Sequence, residues 1–170
     1  GAVPVETIRP GMRVQTRDNG LCEVLWTGAR DVSYEQMFSN RSLRPVLIRA
    51  DALGPGMPAR DMEVSPDHRI LVSSSRLKGK FLEPEVLVAA RHLIDGDAIV
   101  WADMLETRYV HILVEHHEIL LSDGLWSESF RPVADTLTAL EARMRREIEA
   151  VIPNEGAIEK AIRPARELAG

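Results

Sequence analysis

The feature that most constrains the fold is a series of short, strand-like segments separated by glycine, proline and asparagine, which extends from Val3 to Arg131. Alternation of apolar and polar residues from Met12 to Thr16 is typical of a half-buried strand. Asp18-Asn19-Gly20 then predicts a hairpin before a second strand. Many short strands with such turns predict a mainly β core. We predict its further strands over residues 44–49, 62–65, 69–72, 108–114 and 119–121.

The pattern changes after Pro132, where apolar residues recur every three or four positions. This spacing predicts an amphipathic helix, which Asp135-Thr136 would cap and Pro153-Asn154 would end. A shorter helix is expected near residues 157–162. The domain prediction is therefore a β domain over residues 1–131 and a helical C-terminal extension over residues 132–170. The apolar stripe comprises Val133, Leu137, Leu140, Met144, Ile148 and Val151.

The apolar stripe has two interpretations. The favoured one is that it packs on the β domain of its own chain, as most amphipathic helices do. The alternative is that it docks onto another subunit, so that the chain self-associates through this helix.

Two segments of the β region are less regular. The polar stretch from Asp31 to Leu43 lacks periodicity and is predicted to be a loop. Residues 85–93 fit either one short helix or a strand. The glycines of residues 54–58 superficially match a dinucleotide motif, but two prolines remove the amides that would hold a pyrophosphate. We therefore expect a rigid turn there and no bound cofactor.

Composition excludes several classes of function. A chain of 170 residues fits one domain, or one domain with an extension. The net charge of -5 makes nucleic acid an unexpected partner. No apolar run approaches the roughly 20 residues that a membrane helix requires. The single cysteine, Cys22, excludes an internal disulfide and a multi-cysteine zinc site, and we expect no metal.

The chain begins Gly1-Ala2-Val3 without a methionine, and no signal peptide is visible. We therefore expect a truncated or processed chain, whose native leader would have been lost. The compartment stays undetermined, and secretion of the parent protein remains open.

Ser65 and His68 form the clearest candidate site, because a hydroxyl and an imidazole lie three residues apart at the start of an apolar run. An imidazole holds and releases a proton near neutral pH, and a hydroxyl can donate to a developing oxyanion. Pro66 restricts the backbone between them, and Asp67 is a candidate to orient the imidazole. The alternative is ordinary turn chemistry, in which Ser65 only caps the turn.

The remaining histidines are weaker candidates. His111, on a predicted strand, has two open roles: a second base, or a core residue with a backbone partner. His116 and His117 are consecutive and would face opposite sides of a strand, so they cannot easily chelate one ion together. His92 is expected to be structural. A metal-dependent hydrolase built on these histidines is the weakest hypothesis.

Residues 3–14 resemble the early strand motif of Hint domains, the Hedgehog/intein fold, with Met12 where that motif commonly has aspartate. Ser65-Pro66-Asp67-His68 resembles the Thr-x-x-His motif of the same family, with serine in place of threonine.

The closing part of the β region adds to this resemblance. Residues 109–114, His117 and Gly124-Leu125-Trp126 resemble the closing strand pair of the family. The match is closest to a bacterial Hint-like group that carries Ser-Pro-x-His-Arg and Asp-Gly-Leu-Trp-Ser-Glu-Ser-Phe, and it covers residues 3–130.

The resemblance implies a β horseshoe with pseudo-two-fold symmetry and an N–S acyl shift. In the family, a leading cysteine attacks the preceding peptide carbonyl and leaves a thioester; inteins then splice, whereas Hedgehog proteins pass the acyl group to a sterol. The implied substrate is the chain's own upstream polypeptide, without a cofactor. The implied site comprises His68, Ser65, His117 and His111, the last at a position where many inteins carry aspartate.

Two departures from the family pattern limit the expected activity. The family's cysteine would precede Gly1, so we expect the β domain to lack its first strand and its nucleophile, and this segment to be inert. Cys22 lies inside a predicted strand and cannot replace it. Glu128-Ser129 stands where inteins end in His-Asn, which makes splicing unexpected. The first hypothesis is therefore an autoprocessing domain that cleaves without splicing, and the second is an inactive Hint-like interaction module.

Overall fold

A computed structural model describes residues 1–73, 75, 84–132 and 140–152 of the chain. This part is mainly β, as predicted, with a helix near its C-terminal end. Its strands are β1 (Arg13–Gln15), β2 (Leu21–Ser33), β3 (Val46–Ile48), β4 (Met62–Val64), β5 (Arg69–Ser73), β6 (Glu85–Ala89), β7 (Ile99–Trp101), β8 (Glu106–Val114), β9 (Ile119–Ser122) and β10 (Leu125–Glu128). Its α-helices are α1 (Tyr34–Ser39) and α2 (Ala142–Val151), and short 3-10 helices cover Val5–Thr7, Arg41–Leu43 and Ala90–Leu93.

The strands form three antiparallel sheets, with the orders β1-β2-β8, β6-β5-β10-β9 and β4-β3-β7. In the four-stranded sheet, Ile70 of β5 lies opposite Val88 of β6 on one side and Ser127 of β10 on the other. β4 and β5 follow each other in the chain but belong to different sheets. The segment 65–68 therefore links two sheets.

The described residues divide into two compact units. The first contains those within 1–29, 110–120 and 129–152, and the second contains those within 30–109 and 121–128. Among the described residues, no helix has the length and apolar character needed to cross a membrane.

The core of the first unit includes helix α2. The alternation of β2 places Trp26, Val24 and other even-numbered residues on its buried face. Met144 and Ile148 of α2 pack against Trp26 and Leu113. The favoured interpretation of the apolar stripe is therefore confirmed for these two residues. Val133, Leu137, the predicted Asp135-Thr136 cap, the Pro153-Asn154 stop and the second helix lie outside the described residues.

The second unit has the larger apolar cluster, to which β5 and β6 contribute almost continuous apolar runs. The buried members of the cluster are Val46, Ile48, Leu53, Val64, Ile70, Val72, Val86, Ala90, Ile99 and Leu125. The segment 65–68 is thus flanked on both sides by members of this cluster, Val64 before it and Ile70 after it.

The prediction of a loop from Asp31 to Leu43 is wrong. Strand β2 continues to Ser33, and α1 follows it directly. The Ser33 hydroxyl accepts a 3.4 Å hydrogen bond from the Gln36 amide, and the Gln36 side chain accepts one of 2.9 Å from the Ser33 amide. This capping box starts a helix despite the polar sequence. Residues 85–93 contain both predicted forms, a strand followed by a 3-10 helix.

Candidate functional site

Ser65 and His68 are brought together by a tight turn in the second unit. The His68 amide donates a 3.0 Å hydrogen bond to the Ser65 carbonyl, across buried Pro66. The turn is held against the 3-10 helix Ala90–Leu93, because the amides of Arg91 and Ala90 donate to the carbonyls of Pro66 and His68 at 3.0 and 2.9 Å. Both Ser65 and His68 are half-buried, so their side chains remain partly accessible at the end of a rigid segment.

Asp67 does not have the imidazole as its ion-pair partner. Its exposed carboxylate pairs with the guanidinium of Arg91. The side chain therefore fastens the turn to the neighbouring 3-10 helix, which is a structural role and not the orienting role for which the sequence made it a candidate.

Burial is the main influence on His68. Removal of solvent lowers the pKa of its imidazole below the usual 6.5, because the charged form is the more costly to bury. The carboxylate of Glu128 acts in the opposite direction and raises this pKa, but by less. His68 is consequently neutral at pH 7 and able to accept a proton.

Glu128 is a further candidate site residue, which the sequence analysis missed. Ser127 lies opposite Ile70 in the sheet, which sets the neighbouring Glu128 beside Arg69. The Arg69 amide donates a 3.1 Å hydrogen bond to Oε1 of Glu128, although the two residues are 59 positions apart. No local pattern indicates this proximity, because the register between β5 and β10 creates it.

His111 lies in the first unit, on β8 as predicted, and is half-buried. Its ring packs against Phe130, with a centroid separation of 5.1 Å and an interplanar angle of 59°. Phe130 packs in turn against Trp26 at 5.9 Å. This aromatic contact fits the core alternative for His111, and its role as a second base stays a prediction.

His116 and His117 lie between two strands, in agreement with the predicted strands over residues 108–114 and 119–121. They belong to the connection between β8 and β9, so they do not face opposite sides of a strand. His116 is exposed and His117 is half-buried, and both line a small cavity with Phe130 and Pro132. The assignment of His117 to the site stays a prediction.

The four predicted site residues thus fall into two pairs. Ser65 and His68 share one turn in the second unit, and His111 and His117 both lie near Phe130 in the first unit.

The described residues contain no group of three or more histidine, cysteine or carboxylate side chains that could hold a metal ion. A surface groove of about 440 Å³ in the first unit includes Cys22, His116 and Glu118 in its lining. Glu118 already accepts a 2.7 Å hydrogen bond from Asn19 there. Half-buried Cys22 is paired with Val14 in the sheet, in a regular strand as predicted.

Comparison with known proteins gives one finding. A family model described as a Hint domain matches residues 1–134, which is more than half of the chain and includes Ser65, His68, His111 and His117. The comparisons with curated proteins and with solved structures return no match.

Proposed function

Because this chain belongs to the Hint domain family, a family of autoprocessing domains, we propose that it cleaves a peptide bond on its own N-terminal side through an N–S acyl shift. The observation that carries this proposal is the Ser65–His68 turn. Within the described part of the chain, neither the Ser65 hydroxyl nor the His68 imidazole is hydrogen-bonded to another residue. Both groups are thus available to a peptide that enters beside them.

The first step needs a nucleophile, which we propose to be a cysteine N-terminal to Gly1 in the full-length protein. Its sulfur attacks the carbonyl carbon of the preceding peptide bond, and its thiol proton passes to the neutral imidazole of His68. The lowered pKa of His68 supports this role, because a neutral imidazole can accept the proton at pH 7. The Ser65 hydroxyl donates a hydrogen bond to the oxyanion that forms. Removal of one such donor typically lowers the rate by about 10²–10³.

The second step breaks the bond between carbon and nitrogen. The electron pair of that bond moves to the nitrogen, which takes the proton that His68 has just received. An amide nitrogen is a poor leaving group unless it is protonated, so one imidazole serves both steps. The products are a thioester on the cysteine and a free amine, and an outside nucleophile then releases the acyl group.

Cys22 and Glu128 support cleavage without splicing. Cys22 is held in β2 by sheet pairing with Val14, a position away from any chain junction. Glu128 and Ser129 offer no asparagine side chain to cyclise, which the intein route to C-terminal cleavage needs. We therefore propose transfer to an outside nucleophile as the end of the reaction.

The test is intact mass spectrometry of the full-length protein with and without hydroxylamine, which attacks thioesters. We expect two fragments in hydroxylamine, with the C-terminal fragment beginning at a cysteine and the N-terminal one ending in a hydroxamate. One intact mass under both conditions would contradict the proposal and favour the inactive interaction module.

A further inference from the structure

We infer that Glu128 is a positioning residue whose carboxylate stabilises the protonated imidazole of His68 during the reaction. The inference rests on the proposed function, because the imidazole becomes charged only when it takes the proton of the thiol. Glu128 does not touch the reacting bond in this account, and it acts through His68.

The sheet fixes the position of this carboxylate. β10 lies beside β5, with Ser127 opposite Ile70. Oε1 of Glu128 accepts the 3.1 Å hydrogen bond from the amide of Arg69, the residue that directly follows His68. The Glu128 side chain is half-buried and accepts this hydrogen bond on one oxygen, so it has less freedom than a surface glutamate. Its charge is therefore held at the residue next to His68.

The other end of β10 is also anchored. The hairpin turn before it has Asp123 and Gly124 at φ values of 47° and 82°, which is the left-handed backbone of a tight two-residue turn. The Asp123 carbonyl accepts a 2.6 Å hydrogen bond from the Ala59 amide. The Asp123 carboxylate accepts one of 2.8 Å from Nε of Arg60. The strand that carries Glu128 is therefore held at both ends.

Three of the other charged or titratable groups near His68 are paired with each other or exposed. Asp67 and Arg91 pair with each other, and His92 is exposed on the 3-10 helix. Among the described residues, the carboxylate of Glu128 is the charge that raises the pKa of the His68 imidazole. The titratable and charged groups on the segment of His68 and on the elements packed against it are Asp67, Arg69, Glu85, Arg91, His92 and Glu128.

The substitution Glu128→Gln tests the inference, because the amide oxygen of glutamine still accepts from Arg69 while the charge is lost. In the full-length protein we would measure the His68 titration by NMR and the pH profile of hydroxylamine-dependent cleavage. Without the carboxylate, the pKa of His68 should fall, and the acid limb of the profile should move to lower pH with it. The maximal rate should fall by about tenfold or more, the equivalent of one pKa unit.

Two further variants control the experiment. Glu106→Gln removes the same charge from an exposed residue at the start of β8 and should leave both measurements unchanged. Glu128→Asp keeps the charge, so it should hold the pKa of His68 closer to the native value than Glu128→Gln does. If the glutamine variant fails to fold, the aspartate variant still tests the inference, because its shorter side chain moves the charge.

The outcomes separate this inference from the proposed function. An unchanged His68 titration in Glu128→Gln, alongside native cleavage, would overturn the inference and leave the function standing. Absence of cleavage in the native protein would overturn the proposed function, whereas a fall in the pKa of His68 in Glu128→Gln would still support the coupling between the two residues.

Discussion

The indole Nε1 of Trp26 donates a 3.0 Å hydrogen bond to Oε2 of Glu147, which joins β2 to helix α2 across 121 positions of the chain. Trp26 also contacts Met144 and Ile148 of this helix in one apolar cluster. The helix lies beyond residue 134, where the family match ends. It nevertheless completes the core of the first unit, and the stability of that unit should depend on it.

Replacement of Ile148 by alanine should therefore destabilise the protein. Ile148 is fully buried in the core of the first unit. Its truncation to alanine removes apolar burial and leaves a cavity. Isoleucine to alanine changes in cores cost about 2–5 kcal/mol. Urea unfolding, followed by tryptophan fluorescence, would measure the loss. The matched control is Val151→Ala, on the same helix but 38% exposed. An equal loss in both variants would contradict the packing of Ile148 in this core.

The stability of the protein should depend on pH through His68. Its pKa is lowered in the folded state, so the unfolded chain binds a proton more readily. The contribution of His68 is complete above the unfolded value of about 6.5 and is lost as pH falls from there through the lower folded pKa. Free energies of unfolding between pH 5 and 8 (a range about the ordinary histidine pKa), for the native protein and for His68→Gln, would isolate this effect. A native curve no steeper than that of the variant would count against a half-buried, neutral imidazole.

The turn before β10 should tolerate no side chain at Gly124. A Cβ there would meet the carbonyl oxygen of Gly56, and the residue also has a φ of +82°. Gly124→Ala should therefore cost more than the roughly 1–2 kcal/mol of left-handed backbone strain alone. Gly96→Ala is the control, because Gly96 has a φ of +83° and open space around its Cβ position. Thermal unfolding of both variants compares them, and an equal loss would place the strain in the backbone alone.

Local signals predict much of this fold. The hairpin at Asp18-Asn19-Gly20 joins β1 to β2 as predicted, and Ser65–His68 forms a turn, because turn chemistry acts over a few positions. The helix α1 was missed although its capping box, Ser33 with Gln36, is visible in the sequence. Strand β7 was missed because three residues carry little pattern, and its pairing with β3 decides its conformation.

The candidate site was only half predictable. Ser65 and His68 are close in the sequence, and the family resemblance gave them a role. Glu128 comes to His68 through the register of two strands, and a single sequence does not show register between distant strands.

The most direct test of this account is the rate of hydroxylamine-dependent cleavage of the full-length protein in the variants His68→Ala and His92→Ala. His92 is exposed on the 3-10 helix and serves as the histidine control. General acid–base catalysis contributes about 10²–10⁴ in rate. The account predicts a loss of that size in His68→Ala and a native rate in His92→Ala, whereas cleavage of His68→Ala at the native rate would contradict it.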